Sequence, residues 1–105
     1  MTEREFNERA EQAMARIQDA LDASGADLDW EMSGGSVLEI SFENGSKIIV
    51  NRQPAAHEIW VAAKSGGFHY RWRDDAWHDT RDGTELFEAL GRLVAGQGGA
   101  SVDFG

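Results

Sequence analysis

The spacing of apolar residues changes twice along this chain, and few architectures accommodate both changes. From Thr2 to about Ala23, Phe6, Ala10, Ala13, Met14, Ile17, Ala20 and Leu21 recur at helical spacing. Ser24-Gly25 stops that pattern. Between residues 28 and 80 the period falls to two, in short runs separated by turn residues: Leu28 to Met32, Val37 to Phe42, Lys47 to Asn51, Ile59 to Ala63, Phe68 to Trp72 and a short piece near Trp77. Helical spacing then returns in Leu86, Phe87, Leu90, Leu93 and Val94, and Gly96-Gln97-Gly98-Gly99 ends it. Two amphipathic helices bracketing an antiparallel meander predict an α+β two-layer sandwich, with both helices over the dry face of one sheet. With 105 residues there is room for one such domain, spanning 1–105. Val102 and Phe104 are expected to fold back onto the second helix.

Register can be read at one turn. A two-residue loop at Asn44-Gly45 would put Lys47, Ile49 and Asn51 on the face of Leu38, Ile40 and Phe42. A three-residue loop with Gly45 in a bulge puts Ile48 and Val50 there instead, and burying two branched residues rather than a lysine favours it. The same alternation sends Ile59, Val61, Phe68, Tyr70 and Trp72 inward and Glu58, Trp60, His69, Arg71 and Arg73 outward. Asp82, followed by Glu85 three residues on, reads as the capping signal of the second helix.

Charge is distributed as unevenly as hydrophobicity is regularly. Residues 1 to 43 hold eleven acids and three bases, whereas residues 44 to 105 hold eight acids and seven bases. On the first helix, at about 100° per residue, Glu8, Glu11, Asp19 and Asp22 fall opposite the apolar stripe. Asp27, Asp29 and Glu31 alternate on the first strand and continue the ridge. Two readings stand side by side, the solvated face of a helix and a surface with a use; crowding like charges costs stability, which weighs toward the second. Exposed carboxylates are hard ligands suited to iron, manganese, magnesium or calcium, and without His or Cys they select weakly among them. The same field would steer a basic protein surface toward it. Trp60 is the second unusual residue, an indole on the wet face, either partly buried under a loop or an interface anchor.

Several functions lack their chemistry. A net charge of −9 argues against nucleic acid, whose phosphates are bound by Lys and Arg. The absence of cysteine removes disulfides, thiolate metal sites and thiol catalysis. No run approaches the roughly 18 apolar residues of a membrane span, and the start lacks the pattern of a signal peptide, so a cytoplasmic protein is expected. Glycine pairs lie between strands rather than opening a helix, which excludes a phosphate loop. His57, His69 and His78 lack metal-ligand spacing and read as surface histidines, and no catalytic residue is assigned.

The segments Phe42-Glu43-Asn44-Gly45-Ser46-Lys47-Ile48-Ile49-Val50-Asn51-Arg52-Gln53 and Ile59-Trp60-Val61-Ala62-Ala63-Lys64-Ser65-Gly66-Gly67-Phe68-His69-Tyr70 resemble the signature of the frataxin family, in particular its bacterial branch. The acidic first helix, the Gly34-Gly35 turn, Trp77 and the Leu86-Phe87 pair extend the resemblance over essentially the whole chain. The resemblance implies weak binding of ferrous and ferric iron on a ridge that maps onto Glu8, Glu11, Gln18, Asp19, Asp22, Asp27, Asp29 and Glu31. It implies a cysteine desulfurase and iron–sulfur scaffold proteins as partners, with regulation of cluster formation or supply of iron to it. Asp19, Asp22 and Asp29, together with a sheet surface of Asn51, Gln53 and Trp60, are the implied partner contacts. A monomer is expected, with iron-dependent oligomers. A purely regulatory module with incidental metal binding and a weak ferroxidase are the alternatives. Asn7, Gln18 and Ala23-Ser24-Gly25-Ala26 stand where close bacterial relatives often carry a histidine and further aspartates, which thins the ridge.

Overall fold

A computed structural model describes residues 1–105. The first helix, α1, spans Glu3–Ser24 and opens on a capping box: Thr2 accepts from the Glu5 amide while Glu5 reaches back to the Thr2 amide. Phe6, Ala10, Ala13, Met14, Ile17 and Leu21 are its buried face, as the periodicity requires. Six strands follow: β1 (Leu28–Ser33), β2 (Val37–Phe42), β3 (Lys47–Gln53), β4 (Glu58–Ala63), β5 (Gly66–Arg73) and β6 (Ala76–Asp79). They form one antiparallel sheet in chain order, β1 through β6. A single 3₁₀ turn, Pro54–Ala56, joins β3 to β4. The second helix, α2, spans Leu86–Gly98 and buries Leu86, Leu90 and Val94. This is the expected two-layer α+β sandwich.

The β2–β3 hairpin has the bulged register. Ile40 faces Ile48 and Leu38 faces Val50. The Gly45 amide donates to the Phe42 carbonyl at 3.0 Å, and Gly45 sits at φ 84°, which a side chain would strain. Ile49 is left on the outer face opposite Glu39, half-buried. The core lies between the helices and the inner face of the sheet, where Leu38, Ile40, Phe42, Ile48, Val50, Ile59, Val61, Tyr70 and Trp77 meet both helical stripes. Val102 and Phe104 join it, and Arg16 anchors the tail by donating Nε to the Phe104 carbonyl at 2.7 Å.

Three expectations need correction. Asp82 does not cap α2: it accepts from the Thr84 amide in a local turn, and Glu85 is the N-cap, accepting from the Phe87 and Glu88 amides. The bridge of His78 to Glu85 holds the chain extended there, so the helix begins three residues later than the Asp82 signal implied. Glu58 lies on the outer face but is buried, beneath side chains of β4 and β5. His57 and His78 are half-buried rather than fully at the surface: His57 stacks on Phe6, and His78 Nδ1 lies 3.0 Å from the Gly83 carbonyl.

Candidate functional site: an acidic edge and an aromatic sheet surface

The α1 stripe faces the core, so Glu8, Glu11, Asp19 and Asp22 are turned outward and all four are exposed. Within each pair the residues are three apart and neighbour one another; between pairs, Glu8 and Asp19 are about 16 Å apart along the axis at helical rise. Gln18 lies beside them, half-buried. Asp27 precedes β1 rather than lying on it, whereas Asp29 and Glu31 occupy alternate, exposed positions of that strand. Trp30 joins the two elements: its indole Nε1 donates to Asp22 Oδ1 at 3.1 Å, which locks the end of the helix ridge against β1. The acidic residues therefore form a band that passes from the outer side of α1 around the β1 edge of the sheet.

The hairpin register adds two carboxylates that the reading of sequence left outside the ridge. Glu31 is directly opposite Glu39, and Asp29 is opposite Ser41. Asp27, Asp29 and Glu43 line one shallow cavity of about 300 Å³ at the end of this hairpin. The length of the Ser33 to Val37 turn was the available signal, because it fixes which residues of β1 and β2 face one another. Lys47 offsets part of the added charge by pairing with Glu39 at 2.9 Å. Glu8 pairs with Arg4 at 3.4 Å in an exposed contact of small energetic weight. Glu11, Asp19, Asp22, Asp27, Asp29 and Glu31 have no cationic side chain within 4.0 Å.

No three His, Asp or Glu side chains converge closely enough to form a preformed metal centre. What the band offers is a row of one- and two-carboxylate positions in water. Such positions can hold a hard cation with most of its hydration shell retained, weakly and exchangeably. They provide no closed coordination sphere that would choose one metal over another.

Asn51, Gln53 and Trp60 do come together. Asn51 faces Trp60 and Gln53 faces Glu58 across the β3–β4 pair, and all three are half-buried on the outer face. Trp60 lies flat against His69, with ring centroids 4.4 Å apart and planes 9° from parallel. This surface is separate from the acidic band, since β1 and β4 are three strand spacings apart, or about 14 Å. The residues expected to contact a partner thus fall into two patches: Asp19, Asp22 and Asp29 along the edge, and Asn51, Gln53 and Trp60 at the centre of the sheet.

No helix is long and apolar enough to cross a membrane. A sequence model of the family described as Frataxin-like domain matches residues 1–100. The chain is 56% identical over 102 residues to the iron-sulfur cluster assembly protein CyaY of Dechloromonas aromatica, covering 97% of each chain. It is 53% identical over 104 residues to the protein of the same name from Paraburkholderia xenovorans, covering 99% of this chain and 98% of the relative. Frataxin from Psychromonas ingrahamii, described as belonging to the CyaY protein family, superposes with a TM-score of 0.93 at 36% identity over 100% of this chain and 99% of that one. Yeast frataxin shares the fold, with a TM-score of 0.65 at 20% identity over 90% of this chain and 80% of its own. Fold, full-length sequence similarity and family match agree, and the chain belongs to the frataxin family.

Proposed function

We propose that this protein serves iron–sulfur cluster assembly, binding iron weakly on its acidic band and docking on the cysteine desulfurase and scaffold complex. The observation that carries the reading is the band of exposed carboxylates from α1 around the β1 edge, of which Glu11, Asp19, Asp22, Asp27, Asp29 and Glu31 have no cationic partner. The relatives named for cluster assembly support the process. The chemistry of exposed carboxylates supports ferrous and ferric iron as exchangeable cargo. Asp19, Asp22, Asp27, Asp29 and Glu31, with Glu8 and Glu11 toward the start of the helix, are the proposed iron-binding residues. Glu43 joins them because it shares a cavity with Asp27 and Asp29.

Partner docking combines two terms. The acidic edge steers a basic surface of the desulfurase, through Asp19, Asp22 and Asp29, and this term weakens with salt. Asn51, Gln53 and Trp60 supply a partly dry, salt-insensitive contact. Reversing Asp19, Asp22 and Asp29 to lysine is expected to abolish capture of the desulfurase at low salt. Undiminished capture by the triple variant would contradict the electrostatic account.

A purely regulatory role is the second reading, favoured by the contrast between a fixed Trp60 surface and the lack of any converging donor set. A cluster-assembly assay separates the two, using variants of Glu8, Glu11, Asp27 and Glu31 that still dock but no longer bind iron. If such variants lose their effect on assembly, iron supply is the function; if they keep it, regulation through contact is. Nothing in the geometry favours the ferroxidase reading.

A further inference from the structure

Glu58 is the least expected side chain in the sheet. Its position on β4 alternates outward, to the face no helix covers, yet it is only 6% exposed. Both carboxylate oxygens are engaged. Oε1 accepts from the Trp60 indole Nε1 at 2.8 Å, and Oε2 accepts from Arg71 Nε at 2.8 Å. Trp60 is two residues along the same strand, Arg71 stands directly opposite Glu58, and His69 stands directly opposite Trp60. His69 completes the group by stacking on the indole, with Nδ1 3.6 Å from Oε1. One buried carboxylate thus links an aromatic ring and a guanidinium on two neighbouring strands.

Stability does not account for this arrangement. Burying the Glu58 carboxylate costs desolvation that its attraction to a largely exposed guanidinium scarcely repays, and an apolar residue of similar volume usually holds a fold at least as well. What a buried, doubly bonded carboxylate does supply is a fixed geometry. Trp60 is fastened at its edge by Glu58 and at its face by His69, while Arg71 keeps its remaining N–H groups available, its side chain 64% exposed.

We propose that Glu58 is a positioning residue, whose carboxylate holds Trp60 and Arg71 in one orientation on the outer face so that a docking partner need not order them. The proposal rests on the reading of Asn51, Gln53 and Trp60 as a partner surface. Side chains already held in their bound arrangement spare the ordering cost of association. The planar indole beside an exposed guanidinium fits a protein surface that offers an apolar or planar group next to a carboxylate.

The test has an arm on the free protein and an arm on binding. In the wild type, the Trp60 indole N–H, assigned by comparison with Trp60→Phe, is expected to exchange with water far more slowly than a free indole. In Glu58→Leu that protection is lost, and affinity for the same organism's cysteine desulfurase, titrated by calorimetry, falls by about tenfold, as expected when one or two side chains must be ordered on binding. Glu58→Gln, whose amide oxygen still accepts, restores both; a side chain acting only by filling space would show no such selective rescue. A Trp60 indole that exchanges freely in the wild type overturns the proposal whatever the variants do. Weakened binding by Trp60→Ala with undiminished binding by Glu58→Leu overturns the positioning role alone. Undiminished binding by Trp60→Ala overturns the sheet-centre surface and, with it, the proposal.

Discussion

Gly98, the last residue of α2, shows how single positions tie the two layers together. A Cβ at this residue would run into the ring of Phe42, which is itself buried. Helix propensity alone favours alanine over glycine, but the contact decides. Gly98→Ala is expected to destabilise the protein by about 1–3 kcal/mol, the usual cost of overpacking a core. Equal or greater resistance to urea in the variant would contradict that contact. At the other end of the molecule, Glu5 is held below its ordinary value of 4.5 first by accepting from the Thr2 backbone amide and then by its side-chain contact with Thr2. The unfolded chain therefore takes up this proton first as pH falls. The contribution of Glu5 to stability is complete above about pH 4.5 and is lost as pH drops through the lower folded value. An NMR titration of the Glu5 side chain should give a depressed midpoint that rises only part of the way toward 4.5 in Thr2→Ala, which loses the hydroxyl but keeps the backbone amide that donates to Glu5. Asp82 is depressed for the same kind of reason, by its bond from the Thr84 amide, although the expected helix cap is absent.

At the level of elements, the sequence was readable wherever one local pattern decided the outcome. The apolar stripe of α1, the alternation of β2 and the choice between Lys47 and Ile48 at the Asn44-Gly45 turn each have one low-energy answer. Legibility failed where a partner distant in sequence decides. Glu58 is buried because Arg71 and Trp60 meet it across and along the sheet, and alternation alone makes it look solvated. The start of α2 is moved by the bridge of Glu85 to His78, which no capping pattern encodes. Of the candidate site, the carboxylates of α1 and β1 were visible as a charge block. Glu39 and Glu43 were not joined to it because they enter only through the pairing of β1 with β2. That pairing sets Glu31 opposite Glu39, a like-charge contact that costs stability. Glu31→Lys should raise stability by about 0.2–1 kcal/mol while weakening retention of divalent cations. A variant both less stable and equally retentive would show that the band is not under electrostatic strain.

Across the whole molecule, the net charge of −9 is concentrated rather than spread. The chain folds it around one edge, while α2 and the C-terminal tail complete the core. Repulsion within such a band is relieved by screening. Raising ionic strength from about 0.01 to 0.15 M, which shortens the Debye length from about 30 to 8 Å, should therefore raise Tm in the absence of metal. A Tm indifferent to salt would mean that the carboxylates are too far apart to strain the fold. Whether this edge is where the protein meets iron is decided by titrating ferrous iron anaerobically while following backbone amide signals. The account predicts that broadening begins in residues 19–31 and around Glu43, reaches Glu8 and Glu11 at higher iron, and leaves Asn51, Gln53 and Trp60 sharp. Signals that stay sharp throughout α1 and β1, or that broaden first at the centre of the sheet, would contradict it.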